Sequence, residues 1–196
     1  DAVSIAARGA WLARTLREPL ASALEAQGAD AIFTKIEMPL VRVLASMERA
    51  GMYVDPARLA AQSDELVGQI QALEARIREL AGGEEFNLSS PMQLSRILFD
   101  KLGLPTAGLK KTQRGYYSTN AKVLEDLAKD HEIVQLILEF REKTKIKSTY
   151  LDTLGPLRRH DGRVHTTYNQ TITATGRLSS SSPNLQNIPT RSELGH

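Results

Sequence analysis

Residues 55–83 read DPARLAAQSDELVGQIQALEARIRELAGG, and this stretch decides the fold. Asp55 is a good helix N-cap, and Pro56 is pre-organised for the first helical turn. Gly82-Gly83 stops the helix about seven turns later. Between them Leu59, Leu66, Ile70, Leu73, Ile77 and Leu80 recur at spacings of seven, four, three, four and three. One apolar seam on a long helix requires a partner of similar length. Residues 131–154 supply it, with Ile133, Ile137, Phe140, Leu151 and Leu154 available for its buried side. Two long helices joined through a helical insert pack antiparallel as an αα-hairpin. The alternative reading of the seam is a coiled-coil oligomer, but Leu59 to Leu80 spans only about three heptads.

The insert follows from its punctuation. Ser90-Pro91 opens a helix that Gly103 ends, and Asn120 caps a short helix to about Lys129. Between them Gly103, Pro105, Gly108 and Gly115 mark a loop that carries Lys110, Lys111 and Arg114 and no acid, so a basic, mobile loop is expected. Upstream, Leu12, Leu16, Leu20 and Leu24 form one stripe of an amphipathic helix over 5–27, and a second helix is expected from Ile36 to Ala50, ending at Gly51. Downstream, Gly155-Pro156 closes the helical region. Asp161-Gly162 is a turn, Arg163 to Gln170 alternates as a strand or hairpin, and the chain from Gly176 on is expected to be irregular. The fold class is mainly α, with a short strand or hairpin near the C-terminus.

Composition excludes several functions. The chain has 196 residues, 41% apolar and 24% charged, and no cysteine. Disulfides, Cys-ligated metals and thiol nucleophiles are absent. Its four histidines form no HxH or HxxxH pair. No apolar run approaches the 20 or so residues of a membrane span, and no secretory signal is visible, so a cytoplasmic protein without membrane contact is expected. The chain opens on Asp1 and not on Met, as an excised piece would. No P-loop, GxSxG or GxGxxG stands in the sequence, and no carboxylate pair suggests a catalytic or metal site.

Charge is distributed unevenly. Residues 1–104 carry eleven basic and fourteen acidic side chains, and residues 141–196 carry nine and four. A basic C-terminal part suggests a polyanionic partner, although a solvated helix face has the same look. Arg141 and Lys145 are i,i+4 neighbours, as are Lys143 and Lys147. With Lys110, Lys111 and the helix starts at Ser90 and Asn120, these form candidate contacts to a nucleic-acid backbone. The run from Thr173 to Pro189, TATGRLSSSSPNLQNIP, places Arg177 beside hydroxyls and the amides Asn184, Gln186 and Asn187. Such donors suit the acceptors that every base pair offers in the minor groove.

That run resembles the segment leading into the palm of family A DNA polymerases, the DNA polymerase I type. Ile36-Glu37-Met38-Pro39-Leu40 through Val54-Asp55 is similar to the family's entry into the polymerase domain. Glu84-Glu85-Phe86-Asn87-Leu88-Ser89-Ser90 and Lys147-Ser148-Thr149-Tyr150 resemble its thumb, and Gly162–Thr166 the strand before the signature. The resemblance implies tail helices of an exonuclease-like domain over 1–34, a helical thumb over 35–160, and the first edge of the palm over 161–196. It implies that Arg141 and Lys145 contact the DNA backbone, and that Arg177, Asn184, Gln186 and Asn187 lie near the primer–template minor groove. The family has an acid where Ser182 stands and a basic residue where His196 stands. Its metal-binding aspartates fall beyond residue 196. The expectation is a duplex-gripping fragment of a monomeric, Mg²⁺-dependent DNA polymerase, without a cofactor or catalytic residue of its own and inactive alone. It would require the remaining palm and fingers polypeptide. The alternative is a stand-alone helical DNA-binding module acting with a separate partner chain.

Overall fold

The computed structural model describes residues 1–188. Pro189 and His196 lie outside the described residues. The described chain divides into two compact units, 1–52 with 165–186, and 53–164 with 187–188.

In the first unit, α1 (Ala2–Ala26) starts at Asp1, whose carboxylate accepts the Ser4 N–H at 2.8 Å. It runs through Pro19 despite the missing backbone donor. None of its residues is buried, and Leu12, Leu16 and Leu20 are about half exposed. Next comes α2 (Asp30–Ile32), a wider π turn over Phe33–Glu37, and α3 (Met38–Ala50). The helix therefore begins earlier than the expected Ile36. Gly51 ends it at φ 62°, where a Cβ would stand 2.7 Å from the His165 ring, so only glycine fits. Glu48 fastens the returning chain. Its carboxylate accepts the Tyr168 N–H at 2.7 Å, and its carbonyl lies 2.7 Å from His165 Nδ1.

The second unit opens after β1 (Met52–Tyr53) with α4 (Pro56–Leu80). Asp55 caps α4 by accepting from Ala57 and Arg58. Leu66, Leu73 and Ile77 of the seam are buried, while Leu59, Ile70 and Leu80 are half-buried. The insert comprises α5 (Pro91–Ser95), a π turn over Arg96–Lys101, and α6 (Ala121–Leu127). The second long helix is α7 (Glu132–Ile146), continued by a π turn over Lys147–Leu151 and by α8 (Asp152–Leu154). Helix α7 packs on α4. Three cross-links fix the sense of that pairing. Arg76 reaches Glu132 at 3.1 Å, Lys143 donates to Gln69 at 2.7 Å, and Ser63 donates to Asp152 at 3.2 Å. One partner number falls as the other rises, so the two helices are antiparallel, as the seam requires.

Ile77, Leu94, Ile97, Leu98, Leu124, Val134 and Ile137 are fully buried and make one core that joins α4, α7 and the insert. Leu94, Ile97 and Leu98 belong to the insert, so the insert is part of this core and not an appendage.

The expected C-terminal strand or hairpin is present, with one departure. β2 (Arg163–Val164) and β3 (Thr167–Asn169) fall inside the expected 163–170 stretch. The partner of β3 is β4 (Ser179–Ser181), within the segment expected to be irregular. The pair is antiparallel, with Tyr168 opposite Ser180. Ser180 is buried, and its hydroxyl accepts the Leu185 N–H at 3.0 Å and donates to Asn184 Oδ1 at 3.3 Å. A serine run of low strand propensity is held by these side-chain bonds.

The core predicts a stability contrast. Ile77→Ala or Ile137→Ala should lower unfolding free energy by about 2–5 kcal/mol, the range for a buried aliphatic truncation. Leu12→Ala, at an exposed site, should change it by less than about 0.5 kcal/mol. Urea unfolding followed by circular dichroism measures both.

Candidate nucleic-acid interface

The candidate residues fall in both units. Arg141, Lys145, Asn187, Lys110, Lys111, Ser90 and Asn120 belong to the second, and Arg177, Asn184 and Gln186 to the first.

On α7 the two basic rows separate. Lys143 is buried, donating to Gln69 and lying 3.3 Å from Glu139. Lys147 donates to both oxygens of Asp152 at 2.8 Å. That row is an internal strut. In the other row, Lys145 is exposed and has no acidic partner among the described residues. Arg141 is half-buried, and its guanidinium donates to the Thr119 carbonyl at 2.6 Å and to Thr119 Oγ1 at 3.4 Å. Burial lowers its pKa from the ordinary arginine value, yet a guanidinium stays charged in proteins.

Arg141, Lys145 and Asn187 come together. With Leu138, Glu142, Ile146 and Tyr150 they line a cavity of about 300 Å³, although no ion pair joins Glu142 to Arg141 or Lys145 among the described residues. The Tyr150 hydroxyl donates to the Asn187 carbonyl, which ties the start of the C-terminal segment to the π turn after α7.

Lys110 and Lys111 lie on a hairpin and not on an open loop. Thr112 N–H donates to Tyr116 at 2.8 Å, Gly115 N–H to Thr112 at 2.9 Å, and Ser118 N–H to Lys110 at 3.4 Å. Gly115, at φ 84°, makes the reversal that places Arg114 at the tip. Tyr117 anchors the hairpin. Its N–H donates to the buried Ser95 hydroxyl at 3.1 Å, and its ring meets Phe99 edge-on at 5.3 Å. Lys111 Nζ stands 5.0 Å from the centre of the Tyr117 ring. A cavity of about 320 Å³ is lined by Met92, Gln93, Arg96, Asp100, Lys111 and Tyr117, which puts the helix start after Ser90 and one acid, Asp100, in the same wall as Lys111.

The two helix starts are largely satisfied from within. Ser90 accepts from Gln93, Pro91 has no N–H, and Asn120 accepts the Val123 N–H at 3.0 Å. Asn184 is also engaged, accepting the Gln186 N–H at 3.1 Å in addition to the Ser180 hydroxyl. Arg177 and Gln186 are exposed. The Arg177 carbonyl accepts from the Thr173 hydroxyl, which leaves its guanidinium out of that bond.

Sequence reasoning missed three features. Tyr116 and Tyr117 directly follow Arg114-Gly115, and nothing in the sequence marks Tyr117 as an anchor. The burial of Lys143 had a signal, since position 143 continues the 133–137–140 face. The fastening of Arg141 to Thr119 joins residues 22 apart and had none. Among the described residues no group of three His, Asp or Glu side chains could hold a metal. None of the described helices is long and apolar enough to cross a membrane.

Comparison with known proteins agrees with this architecture. DNA polymerase I of Geobacillus stearothermophilus is 52% identical over 181 residues, covering 92% of this chain and 20% of that protein. The thermostable DNA polymerase I of Thermus aquaticus is 53% identical over 165 residues, covering 84% and 20%. The chain thus spans about a fifth of the length of the curated relatives it matches. Among solved structures, the POL domain of Pol1 from M. smegmatis, in complex with DNA primer-template and dNTP, superposes with a TM-score of 0.77 at 42% identity, covering 90% of this chain and 30% of that one. The pattern that describes DNA polymerase family A matches residues 56–196, from the first turn of α4 through the signature run, and this chain belongs to that family.

Proposed function

We propose that this chain is the duplex-gripping part of a DNA polymerase I-like enzyme, comprising the thumb and the first edge of the palm. Residues 1–34 are tail helices of an exonuclease-like domain, 35–160 the thumb, and 161–196 the palm edge. The observation that carries the reading is the division of cations in the second unit. Lys143 and Lys147 are neutralised internally, whereas Lys145, Lys110 and Lys111 keep their charge without a carboxylate partner among the described residues. Placed on a rigid helix and an anchored hairpin, these lysines and Arg141 suit phosphates and read no sequence. Arg177, Asn184, Gln186 and Asn187 supply minor-groove donors near the primer end.

The complete enzyme would be a template-directed nucleotidyltransferase of the cytoplasm that uses Mg²⁺. The described residues of this chain do not fit a metal site. No chemical step is therefore assigned to them, and their work is to bind and orient primer–template DNA. The remaining palm and fingers polypeptide would supply the chemistry.

Two outcomes test this. Duplex binding by the chain should show no sequence preference, and log K should fall against log salt with a slope of roughly −4, as four or five neutralised phosphates require. A slope near zero in a fluorescence-anisotropy titration refutes the phosphate grip. Lys145→Ala should weaken binding about three- to tenfold near 0.1 M salt. Arg177→Ala should weaken it by less than about twofold, because ordering its long, exposed side chain on DNA costs about 1.5–2 kcal/mol of rotamer entropy, which offsets most of a single contact. Abolition of binding by Arg177→Ala would move the grip away from α7.

A further inference from the structure

We infer that Arg141 is a positioning residue, which sets the basic hairpin and the start of α6 against α7 and so fixes the spacing of the cations that meet DNA. The inference rests on the duplex-gripping reading above.

Thr119 is the junction. Its N-terminal neighbour Ser118 donates the hydrogen bond to Lys110 that closes the hairpin. Its C-terminal neighbour Asn120 caps α6. Thr119 itself is only 4% exposed, so its carbonyl needs a partner from within the protein. Arg141 supplies it at 2.6 Å and adds a second bond to the hydroxyl. A guanidinium makes this pair of bonds with a planar fork. A lysine ammonium in the same place keeps the charge but is a point donor on a flexible stem.

The hairpin therefore has two attachments. Tyr117 holds it to α5 through Ser95 and Phe99, and Arg141 holds it to α7 through Thr119. One turn beyond Arg141 on the same row of α7 stands Lys145. The distance from Lys145 to Lys110 and Lys111 is then set by the Arg141–Thr119 bonds. DNA phosphates are regularly spaced, and cations whose backbone positions are held at fixed separations bind them at a lower ordering cost, confined to their side chains. Two of the five guanidinium N–H groups serve Thr119. The charge of Arg141 stays in the wall, but its larger contribution passes through the hairpin lysines.

Amide hydrogen exchange of the free chain and the salt slope with a 20-base-pair duplex test this, using Arg141→Lys, Arg141→Gln and Lys145→Ala. Arg141→Lys should speed exchange at Thr112, Gly115 and Ser118 about tenfold or more, with the α4 and α7 core amides unchanged. Its salt slope should fall by about two or more, although no charge was removed. Arg141→Gln, whose amide ends two bonds short of the guanidinium Nη atoms and cannot reach the Thr119 carbonyl, should lose hairpin protection as Arg141→Lys does and lose about one more from the slope for the missing charge. Lys145→Ala should lose about one and leave exchange unaltered. Wild-type exchange and slope in Arg141→Lys overturn the inference and leave the DNA reading standing. Faster hairpin exchange with an unchanged slope also overturns it. A salt slope near zero in the unmodified chain overturns the DNA reading itself. Should Arg141→Lys unfold α7, Arg141→Gln decides: hairpin protection retained on a folded α7 overturns the inference, and protection lost together with a slope reduced by more than one supports it.

Discussion

The packing of α4 against α7 is the contact on which the rest of this structure depends. Ile77 and Ile137 are both fully buried in that core. Around it three polar cross-links, Arg76 to Glu132, Lys143 to Gln69 and Ser63 to Asp152, set direction and register. The hydrogen bonds that Arg76 donates to Glu79 and Glu132 hold its pKa above the ordinary arginine value. These links are mostly exposed, so they contribute little stability but much alignment. The apolar core supplies the stability, and it includes Leu94, Ile97 and Leu98 of the insert. The hairpin is attached to two elements of that core. A helix pair built this way can present charges at fixed positions, which a loose basic loop cannot.

The arrangement also sorts cations by task. Residues 141–147 look uniformly basic along the chain. In three dimensions Lys143 and Lys147 face carboxylates or an amide and stabilise the helix pair, whereas Lys145 faces solvent. Arg141 is intermediate, bound to a buried carbonyl while retaining its charge. A count of basic residues would overstate the binding charge, because a lysine that already has its counter-charge releases few counterions on meeting DNA.

Much of this was legible in the residues. The Leu59–Leu80 seam, the caps at Asp55, Ser90 and Asn120, and the stop at Gly51 are local signals, and the structure places helices where they point. The signature run around Arg177 carried the family by resemblance. What stayed hidden depends on partners distant in sequence. Ser179–Ser181 is a strand because Thr167–Asn169 pairs with it and Ser180 is buried, and nothing in a serine run announces that. The π turns at Phe33, Arg96 and Lys147 leave no mark in apolar periodicity. Glycines and lysines give 110–118 the sequence of a mobile loop, while its anchors are Tyr117 and a buried Ser95 some twenty residues away.

The central claim is that the unneutralised lysines of α7 and the hairpin, and not the basic residues at large, meet the duplex. Lysine footprinting tests it most directly. The chain would be reductively methylated with and without a saturating DNA duplex, and each lysine quantified by mass spectrometry. The account predicts that DNA shields Lys145, Lys110 and Lys111, while Lys143 reacts slowly in both states because it is already buried. Unchanged reactivity of Lys145 on a chain saturated with DNA, or shielding confined to Lys35 and Lys129, would contradict it.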